Sequence, residues 1–531
     1  MNFLTLKDQL VTVLFENNDI IAVDKPYGVN SHTNEAKQGN ENFIQDGLIE
    51  TYERQLGIKL HIIHRLDQTT TGVIVFGKSV ESTKKYANFF FERQVKKTYL
   101  FITAEKSPKD QYTIDKMIIH KGQDLEAQTH FQRLKKSAHF ELWQAEPHTG
   151  RNHQIRIHAQ AAGISLLGDQ KYGGKEYPFL CLHNQRIEFP NQIVIESTAA
   201  PYFENLELLQ NQIIAKAFFE TDRRKRLFAK ADSNQCFRLA HNKNDFKELG
   251  FAIDQFGPVL VLYCYDIQWL QSQSQTLKEY SAWMKRPILV RFMSSMKQVQ
   301  NKIETVIFPM GEAALELPNR WTAQENKIVF QLRSDVGQSF GLFLDQRLQR
   351  HWVFENSTGK SVLNLFSYTC GFSVAAALGK ASEVVSVDTS KAVLSWGKDN
   401  FELNSILSQN YKFLCRDSLA YLEQCLNKNI KFDLIICDPP SFSRGEKGVF
   451  KIETSLEILI KNCLRCLTEN GQLLFSTNFE GFTRDDIRRA ILKVQGELGL
   501  KNLCINCLQS AFDCELVGQS PILKSFLIQL S

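Results

Sequence analysis

Asp67 is a single carboxylate in the segment HRLDQTTTG at residues 64–72, where Arg65 stands two positions before it and three threonines and a glycine follow. Further along the chain lie Tyr99, in the segment KKTYL, and the dense run HTGRNHQIRIHAQAAGISLLGDQKYGG at 148–174. An isolated aspartate of this kind is usually solvated or caps a turn. Beside arginines and an aromatic ring, the same carboxylate can act as a nucleophile. The surrounding residues therefore decide between the two roles.

Together these segments resemble the RluA-like pseudouridine synthases. The family's pattern is HRLD, two variable residues and Thr-Ser-Gly, and later Arg-x-His-Gln-hydrophobic-Arg-hydrophobic-His followed by Leu-Gly-Asp-x-x-Tyr-Gly. Here Thr71 stands in the serine place and Asn152 in the usual Thr or Ser place. The segment IIAVDKPYGV is similar to the family's opening, a strand followed by Lys-Pro-x-Gly. The resemblance extends from about residue 10 to about residue 215.

The resemblance implies a role for four residues. Asp67 is expected to be the catalytic aspartate that converts uridine to pseudouridine, with Arg156 as its salt-bridge partner. Tyr99 is expected beneath the target base, and Arg65 is expected to help displace the target nucleotide. The reaction breaks the bond from C1′ to N1 and rejoins the uracil through carbon 5, so it needs a carboxylate next to the sugar or base and no metal or cofactor. A tyrosine face and an arginine would offset the cost of unstacking the uridine.

The alternative for Asp67 is that it caps a turn and pairs with Arg156 in a purely structural network. The number of matching features favours the catalytic role. Two histidines of the same segments, His64 and His153, are expected to pack and to form hydrogen bonds, because no carboxylate or cysteine stands beside them at the spacing that metal ligation requires.

A second group of polar residues follows the apolar segments of the C-terminal half. The stretch VLNLFSYTCGFSVAAAL is typical of a strand, a turn and a helix, but Gly371 is its one glycine, so the signature of a pyrophosphate-binding turn is missing. S-adenosylmethionine has no phosphates. It requires a close turn after the first strand, an acid ending the second strand and a polar residue after the third. The order of these features predicts a set of cofactor-binding residues: Asn364, Phe366, Tyr368, Gly371, Asp388, Asp417 and Asp438.

Asp438 belongs to CDPPS, at the end of the fourth strand of this half. An acid before a rigid pair of prolines can hold a planar amine or ring against a methyl donor. For any one of these acids, the alternative is a cap at the end of a strand. Their ordered series favours a cofactor site.

The C-terminal half resembles the class I rRNA methyltransferases of the bacterial large-subunit type, in particular the RlmK-like group that makes 7-methylguanosine. The matching segments are FGLFLDQRLQR, NLFSYTCGFSVAAALGKASEVVSVDTSKAVLSWGKDNFELN, DPPSFS and, upstream, CFRLAHNKNDFKELGFAIDQFG. The resemblance covers about residues 230 to 531. It implies that Asp345 and Arg347, in FLDQR, line the cleft for cofactor and substrate, and that the partner is structured RNA, above all 23S rRNA.

The methylated atom depends on whether the chain offers a nucleophile. Related enzymes that methylate carbon 5 of cytosine use a cysteine thiolate near the end of the fourth or fifth strand. Here the fifth strand ends in LLFSTNFEGF without cysteine, and the alternation in LIICD predicts that Cys437 packs in the core. Guanine N7 already has a lone pair and requires only positioning and desolvation. The sequence therefore favours guanine N7 over cytosine carbon 5.

The apolar patterns divide this multidomain chain into three parts. Residues 1–215 contain short strands, including HIIHRLD and TGVIVFGKS, and helices such as NHQIRIHAQAAG, which indicate an α+β domain with a mixed antiparallel sheet. Residues 335–531 alternate apolar strands and amphipathic helices, which is typical of a Rossmann-like α/β domain with a parallel sheet. Residues 216–334 combine a basic linker with a small β-rich α+β domain. The basic run at 223–226 is expected to be a solvated helix face or, alternatively, a phosphate-contacting patch.

The composition is that of globular domains, with 43% apolar and 23% charged residues. A net charge of +5 permits a polyanionic partner without requiring one. The longest apolar runs, such as PVLVLYCY, are shorter than the roughly 18 residues that span a bilayer, so a cytoplasmic protein without a membrane partner is expected. The 12 cysteines are expected to be free thiols. The pairs Cys463/Cys466 and Cys504/Cys507 lie in a predicted helix and a predicted strand, which argues against a zinc site.

Two complete residue sets in one chain predict a bifunctional RNA-modifying enzyme: a pseudouridine synthase joined to an S-adenosylmethionine-dependent rRNA methyltransferase. Two alternatives stay open. One half could serve only to target the other to RNA. The methyltransferase could also act on DNA adenine or protein glutamine, although DPPSF lacks the aromatic residue that usually follows the prolines in those enzymes.

Overall fold

The computed structural model of the chain describes residues 12–33, 47–120, 122–227, 234–241, 251–264, 266–292, 303–307, 319–335, 339–406, 409–445, 448–511, 513–514 and 522–530. These residues fall into two compact units. The first unit comprises residues 1–232 and 272–284, and the second comprises residues 233–271 and 285–531.

The first unit is built around one ten-stranded sheet. Its strands follow the order β1-β2-β4-β11-β5-β10-β9-β6, with β3 paired to β4 and β12 paired to β11. Neighbouring strands are antiparallel except β4 and β11, which are parallel. A separate hairpin is formed by β7 and β8. The strands are β1 (Val13–Glu16), β2 (Ile20–Lys25), β3 (His61–Ile62), β4 (Thr71–Gly77), β5 (Lys96–Thr103), β6 (Gln111–Asp115), β7 (Ile118–His120), β8 (Gln123–Leu125), β9 (Gln128–Lys136), β10 (Glu141–Pro147), β11 (Leu182–Glu188) and β12 (Val194–Glu196).

Helices cover parts of this sheet and connect its strands. They are α1 (Leu48–Leu56), α2 (Val80–Phe91), α3 (Gln154–Ala161) and α4 (Gln212–Leu227), with short 3-10 helices at Gln170–Tyr172, Pro201–Phe203 and Leu206–Leu209. The apolar side chains of β2 and β4 pack with Tyr86 of α2 and with Phe189 in one buried cluster. Burial of that alternating apolar face explains why these segments form a sheet. The predicted mixed antiparallel α+β architecture is confirmed.

One local prediction in this unit is wrong. HIIHRLD was expected to be one strand, but only His61–Ile62 is extended in a sheet, and the chain turns where the backbone carbonyl of Asp67 accepts a hydrogen bond from the Thr70 amide at 3.0 Å. The helix predicted in NHQIRIHAQAAG is present as Gln154–Ala161, and His153 before it has a left-handed backbone with φ of 54°. Both features bring polar side chains to the end of an element, where they are available for chemistry.

The basic run at 223–226 lies in α4 and differs from both expectations. Arg224 and Arg226 are buried, and Arg226 pairs with Asp222 at 2.8 Å and with Asp24. Four consecutive residues of a helix point around its whole circumference, so part of the run has to face the protein interior. The expectation of a solvated or phosphate-contacting run is therefore wrong for Arg224 and Arg226. The predicted domain boundary at residue 215 falls inside α4, which belongs to the first unit.

The second unit contains a small five-stranded sheet of order β13-β14-β15-β16-β17 and a two-stranded sheet of β18 and β19. β15 and β16 are parallel, and the other pairs are antiparallel. The elements are β13 (Cys236–Ala240), β14 (Phe251–Phe256), β15 (Val259–Cys264), α5 (Ile267–Ser272), α6 (Ser274–Met284), β16 (Ile288–Phe292), β17 (Ile303–Ile307), β18 (Arg320–Glu325) and β19 (Ile328–Arg333). Residues of α6 are counted with the first unit.

The rest of the second unit is a seven-stranded sheet of order β22-β21-β20-β23-β26-β28-β27. Its first five strands are parallel, and β28 and β27 close it as antiparallel strands. The elements are α7 (Arg347–Asn356), β20 (Ser361–Leu365), α8 (Gly371–Leu378), β21 (Glu383–Asp388), α9 (Lys391–Leu403), β22 (Tyr411–Cys415), α10 (Ser418–Asn427), β23 (Phe432–Cys437), β24 (Phe442–Gly445), β25 (Gly448–Lys451), α11 (Ile452–Arg465), β26 (Leu467–Thr477), α12 (Arg484–Leu498), β27 (Leu503–Leu508) and β28 (Lys524–Leu530).

Alternate residues of these strands enter separate cores on the two faces of the sheet. Val362 and Leu434 pack in one cluster, whereas Leu363, Ile435 and Cys437 pack in the other. A strand that is buried on both faces reads as a continuous apolar run, which is why the sequence pattern identified it. The carboxyl ends of the parallel strands meet at one edge of the sheet, where ligands bind in this type of fold. The predicted Rossmann-like architecture is confirmed.

Within the described ranges, no helix is long and apolar enough to cross a membrane.

Candidate active sites

Asp67 lies in a turn that a buried lysine holds in place. The Lys25 Nζ, at the end of β2, donates hydrogen bonds to the carbonyl oxygens of Gln68 at 2.9 Å and Thr70 at 2.8 Å. Burial lowers the pKa of Lys25 to about 7, and the charge of Asp67 opposes that shift. The turn is therefore anchored from inside the sheet. The sequence had identified the Lys-Pro-x-Gly segment but gave Lys25 no role.

Arg156 of α3 stands between two carboxylates. Its Nη1 is 3.6 Å from Asp67 Oδ2, while its Nε and Nη2 donate to the two oxygens of Asp169 at 2.6 and 2.7 Å. Asp169 is fully enclosed, with 2% of its surface exposed. Burial lowers the pKa of Arg156, but the pairs with Asp169 and Asp67 outweigh that effect and raise it. Asp169 thus aims a permanent positive charge at Asp67. The predicted pair is present, and Asp169, part of the motif LGDQKYG, was not recognised as its anchor.

His153 completes the surroundings of Asp67. Its Nδ1 lies 2.8 Å from the Tyr172 hydroxyl, and its Nε2 lies 3.6 Å from Asp67 Oδ2. Burial lowers the pKa of His153, with the Asp67 charge acting in the opposite direction. The sequence predicted a hydrogen-bonding histidine but not its place beside the carboxylate. His64, by contrast, is half-buried and accepts a hydrogen bond from the Val75 amide at 3.1 Å, and desolvation lowers its pKa to about 3, so it is a packing residue as predicted.

Tyr99 and Arg65 line the same cleft, whose volume is about 910 Å³. Tyr99 comes from β5 and is buried; burial, followed by the nearby Asp67 charge, raises the pKa of its phenol. Arg65 is exposed and forms no hydrogen bond or ion pair with other described residues. The four residues predicted for this site therefore converge on one cleft. An enclosed carboxylate, an arginine and a tyrosine face can hold and attack a flat nucleoside.

The rim of this cleft is basic and partly aromatic. Arg93, Lys97 and Arg151 line it, and Phe91, at the end of α2, has 86% of its surface exposed. Exposed aromatic rings among cations are a typical surface for unstacked bases and phosphates. The rim thus suits a polyanionic substrate with exposed bases.

The second site lies at the carboxyl ends of β20, β21, β22 and β23. The turn between β20 and α8 has left-handed backbone at Phe366, Tyr368 and Cys370, with φ of 53°, 48° and 62°. The Tyr368 amide donates to Asp388 Oδ2 at 2.9 Å, which ties the turn to the end of β21. Burial raises the pKa of Asp388, and hydrogen bonds from backbone amides oppose that shift. The result is a close backbone turn beside an enclosed carboxylate.

Asp417 begins α10 and caps it, because its Oδ1 accepts the Ala420 amide at 3.0 Å. The capping alternative thus holds for Asp417, and the same residue also lines the cavity with Asp388. That cavity has a volume of about 390 Å³ and is walled by aromatic and polar side chains. Of the predicted set, it brings together Phe366, Tyr368, Gly371, Asp388, Asp417, Asp438 and Asp345.

Two residues predicted for this site do not line its cavity. Asn364 is buried under the turn, where its Nδ2 donates to Ser373 Oγ at 2.8 Å. Arg347 is buried on the side of its helical turn that faces away from the cavity. Its two terminal guanidinium nitrogens, Nη1 and Nη2, donate hydrogen bonds to the Asp513 carboxylate. Residues two positions apart in a helix point to nearly opposite faces, so Asp345 and Arg347 could not both face the cleft. The expectation that Arg347 lines the cleft is wrong; it fixes the start of α7.

Asp345, Gln346 and Asp438 form the acidic end of the cavity. Burial raises the pKa of Asp438 to about 7, and the neighbouring Asp345 adds to that shift. Burial also raises the pKa of Asp345. Gln346 has 2% of its surface exposed, and neither atom of its amide has a hydrogen-bond partner of ordinary geometry among the described residues. The sequence gave no signal for Gln346, because a glutamine beside an acid carries little chemical information by itself.

The cysteines near the second site are packing residues. Cys437 is fully buried at the end of β23, and burial raises the pKa of its thiol well above the usual value. The prediction that Cys437 packs in the core is confirmed, and a thiol held neutral in this way is a poor nucleophile. Cys463 and Cys466 are buried in and just after α11, and Cys504 and Cys507 are exposed on β27. Across the described ranges, no three histidine, cysteine or acidic residues are grouped as metal ligands would be.

Comparisons with known proteins also assign the two sites to two different families, one for the N-terminal part of the chain and one for the C-terminal part. Residues 19–161 match the family model of RNA pseudouridylate synthase, and residues 310–488 match that of S-adenosylmethionine-dependent methyltransferase. Ribosomal RNA large subunit methyltransferase K of Neisseria meningitidis is 33% identical over 267 residues, which cover 49% of this chain and 74% of that protein. Ribosomal RNA large subunit methyltransferase K/L of Pseudoalteromonas translucida is 37% identical over 190 residues, and the chain spans 25% of its length.

Two solved structures support the fold of the second unit. A chain assigned as a methyltransferase and crystallised with SAH aligns with a TM-score of 0.52 and 25% identity, over 66% of this chain and 88% of its own length. A chain from Streptococcus mutans assigned as a SAM-dependent methyltransferase aligns with a TM-score of 0.51 and 24% identity, over 65% of this chain and 88% of its own length.

Proposed function

Because the chain belongs to the family of ribosomal RNA large subunit methyltransferases and carries an RNA pseudouridylate synthase domain ahead of that part, we propose that it modifies two bases of RNA by two independent chemistries. The first unit isomerises a uridine through Asp67. The second unit methylates guanine N7 of 23S rRNA. The observation that carries the proposal is that all four residues predicted for the first site line one cleft around Asp67, and seven of the nine predicted for the second line another around Asp388.

In the first unit, Asp67 is the proposed nucleophile and Arg156 its counter-charge. The guanidinium at 3.6 Å favours the ionised carboxylate, and Asp169 prevents Arg156 from closing into a tight pair that would block attack. Tyr99 supplies a flat face under the uracil, and the exposed Arg65 fills the space that the flipped nucleotide leaves. The chain's own residues suffice for this isomerisation, so no cofactor is proposed for the first unit.

In the second unit, the residues around the β20–α8 turn fit S-adenosylmethionine. The Tyr368 backbone stands at the close turn, Asp388 would accept the ribose hydroxyls, and Asp417 lies where the adenine would end. The bound cofactor supplies an electrophilic methyl group. Asp438 and its two prolines orient the acceptor base, and the cavity walls exclude water. Because this attack uses a lone pair of the base itself, the chain needs to supply no nucleophile.

Methylation of cytosine carbon 5 is the second candidate. That reaction requires a thiolate that can reach the base, whereas Cys437 is buried and held neutral in the core. Guanine N7 therefore stays the favoured atom. We assign residues 1–215 together with the rest of α4 to the synthase domain, residues 335–531 to the methyltransferase domain, and the small sheet to a connecting region. A cytoplasmic location is proposed together with the ribosomal substrate.

The test is mass-spectrometric mapping of rRNA and tRNA from a strain that lacks the gene. We expect at least one pseudouridine and one 7-methylguanosine to disappear, with both restored by the full chain. If both RNAs keep all their modifications, the proposed function is wrong. Loss of 5-methylcytosine in place of 7-methylguanosine would support the second candidate.

A further inference from the structure

The acidic end of the second cavity is chemically unlike the rest of its wall. Asp345 and Asp438 both line it, and the charge of Asp345 raises the pKa of Asp438. Two half-buried carboxylates on one cavity wall are stabilised when a ligand donates hydrogen bonds to them or when a cation neutralises them. Arg238 and Arg350 lower the pKa of Asp345, and Arg350 also lowers that of Asp438. Both guanidinium groups are already engaged, Arg238 by Asp254 and Arg350 by Glu325, each at 2.7 Å.

Gln346 supplies the second observation. Its amide is almost completely enclosed and lines the same cavity, and neither its nitrogen nor its oxygen forms a hydrogen bond of ordinary geometry with the described residues. Its side chain is near enough to Asp438 to lower the pKa of that carboxyl, which does not satisfy the whole amide. A buried primary amide without well-formed hydrogen bonds is energetically costly. Such a group in a ligand cavity is best explained by a ligand that satisfies it. The ligand then has to offer an acceptor to the amide as well as donors to the acids.

We propose that Asp345, Gln346 and Asp438 form a base-recognition site that reads the Watson–Crick edge of a guanine. This inference rests on the proposed methyltransferase function and names the residues that select its acceptor base. Guanine presents two adjacent donors, N1–H and the N2 amino group, and one acceptor, O6. The two carboxylates match the donors, and the Gln346 amide nitrogen matches O6.

The other RNA bases fit this arrangement less well. Adenine, cytosine and uracil each offer a single donor group on that edge, so one carboxylate would stay unpaired. Phe343 lies on the same part of the wall, with 46% of its surface exposed and its ring centre 5.4 Å from that of Tyr368. Its free face offers a stacking surface for a purine. Holding guanine by its Watson–Crick edge also leaves N7, on the adjacent Hoogsteen edge, free to meet a methyl donor.

A competing occupant is the amino group of the cofactor, which could neutralise the same carboxylates. The two occupants make different predictions. If the acids served the cofactor, their removal would weaken cofactor binding. If they serve the base, their removal would weaken base binding to a protein already loaded with S-adenosylhomocysteine, whose affinity would change little.

The experiment measures binding of free nucleosides to the full chain saturated with S-adenosylhomocysteine, by saturation-transfer NMR at millimolar concentration. Guanosine should bind, and inosine, which lacks the N2 amino group, should bind about tenfold more weakly, as should adenosine and cytidine. Asp345→Asn and Gln346→Met should each weaken guanosine binding about tenfold, with S-adenosylhomocysteine affinity changed less than about twofold. The matched control Asp485→Asn, an exposed aspartate of α12, should change neither affinity.

Three results would overturn the inference. They are equal binding of guanosine and inosine, no guanosine binding to the loaded wild-type chain, and a loss of S-adenosylhomocysteine affinity in Asp345→Asn with guanosine binding unchanged. The comparison of nucleosides needs no variant, so it holds even if a substituted chain fails to fold. Failure of the proposed function looks different: the chain would not bind S-adenosylhomocysteine at all, and rRNA would keep its 7-methylguanosine.

Discussion

Replacing Asp169 by asparagine should damage the synthase site from a position that does not touch its substrate. The side chain of Asp169 is completely enclosed and binds the Arg156 guanidinium through two hydrogen bonds at 2.6 and 2.7 Å. Asparagine keeps one acceptor oxygen, loses the charge and turns an amino group toward the guanidinium. Breaking an enclosed pair of this kind costs about 3 to 5 kcal/mol, and the partial exposure of Arg156 favours the lower end. We therefore expect the first unit to lose about 3 kcal/mol of stability.

The same substitution should slow pseudouridine formation. Arg156 would be free to turn toward Asp67, whose Oδ2 is 3.6 Å away in the native arrangement, and a displacement of about 1 Å in a catalytic group costs roughly 100-fold in rate. We expect a rate loss of about 10- to 100-fold. Tritium release from large-subunit rRNA labelled at uridine carbon 5, taken from a strain lacking the gene, measures the rate. Hydrogen exchange of first-unit peptides in increasing urea, read by mass spectrometry, measures the stability.

Asp110→Asn is the matched control for this experiment. Asp110 also pairs with an arginine, Arg133, but 69% of its side chain is exposed, and exposed pairs contribute at most about 1 kcal/mol. Asp110→Asn should therefore leave the rate unchanged and the stability nearly so. If Asp169→Asn behaves like this control in both measurements, the idea that Asp169 holds Arg156 in its working position is refuted.

Two further predictions concern the carboxylates and the backbone. Burial and the neighbouring Asp345 raise the pKa of Asp438 to about 7, while Gln346 and Arg350 act against the shift. The carboxyl is therefore neutral in acid and becomes an ionised carboxylate, a stronger acceptor without a proton of its own, as pH rises. The methylation rate should climb between about pH 6 and pH 8, and Asp438→Asn should give a low rate without that rise. A pH profile identical in the variant would contradict this role. Gly72, with φ of 106°, lies against a backbone carbonyl of the adjacent strand, whereas Gly163, with φ of 69°, has open space around it. Gly72→Ala should thus cost about 1 to 3 kcal/mol more than Gly163→Ala in the same hydrogen-exchange assay, and equal losses would contradict the packing argument.

Much of the methyltransferase fold could be predicted because its strands are apolar on both faces and end in polar residues. Asp388 is the last residue of β21 and Asp417 follows β22 by two residues, and the parallel register alone brings such residues to one edge. The same reasoning could not place Arg347. Its partner, Asp513, is 166 positions away, and only the three-dimensional packing shows that Arg347 turns from the cavity toward it.

In the synthase site, the resemblance identified residues that contact a substrate but not those that position them. Lys25 acts by holding the backbone of the Asp67 turn, and Asp169 acts by holding Arg156. Nothing in the spacing of charges along the chain reveals such partners. His153 was taken for a packing residue because the left-handed backbone that brings it to Asp67 leaves no mark in the residue pattern. For Arg224 and Arg226, charge suggested exposure, but both side chains are buried and pair with enclosed acids, Arg224 with Glu220 one turn earlier in α4 and Arg226 with Asp24 of β2.

The central claim is that one chain carries two independent sites for altering RNA bases. The most direct test expresses Asp67→Asn or Asp388→Ala in a strain lacking the gene and maps pseudouridine and 7-methylguanosine in the same rRNA sample. Asp67→Asn should lose the pseudouridine and keep the methylguanosine, whereas Asp388→Ala should lose the methylguanosine and keep the pseudouridine. Loss of both modifications from either substitution, or retention of both, would contradict the claim.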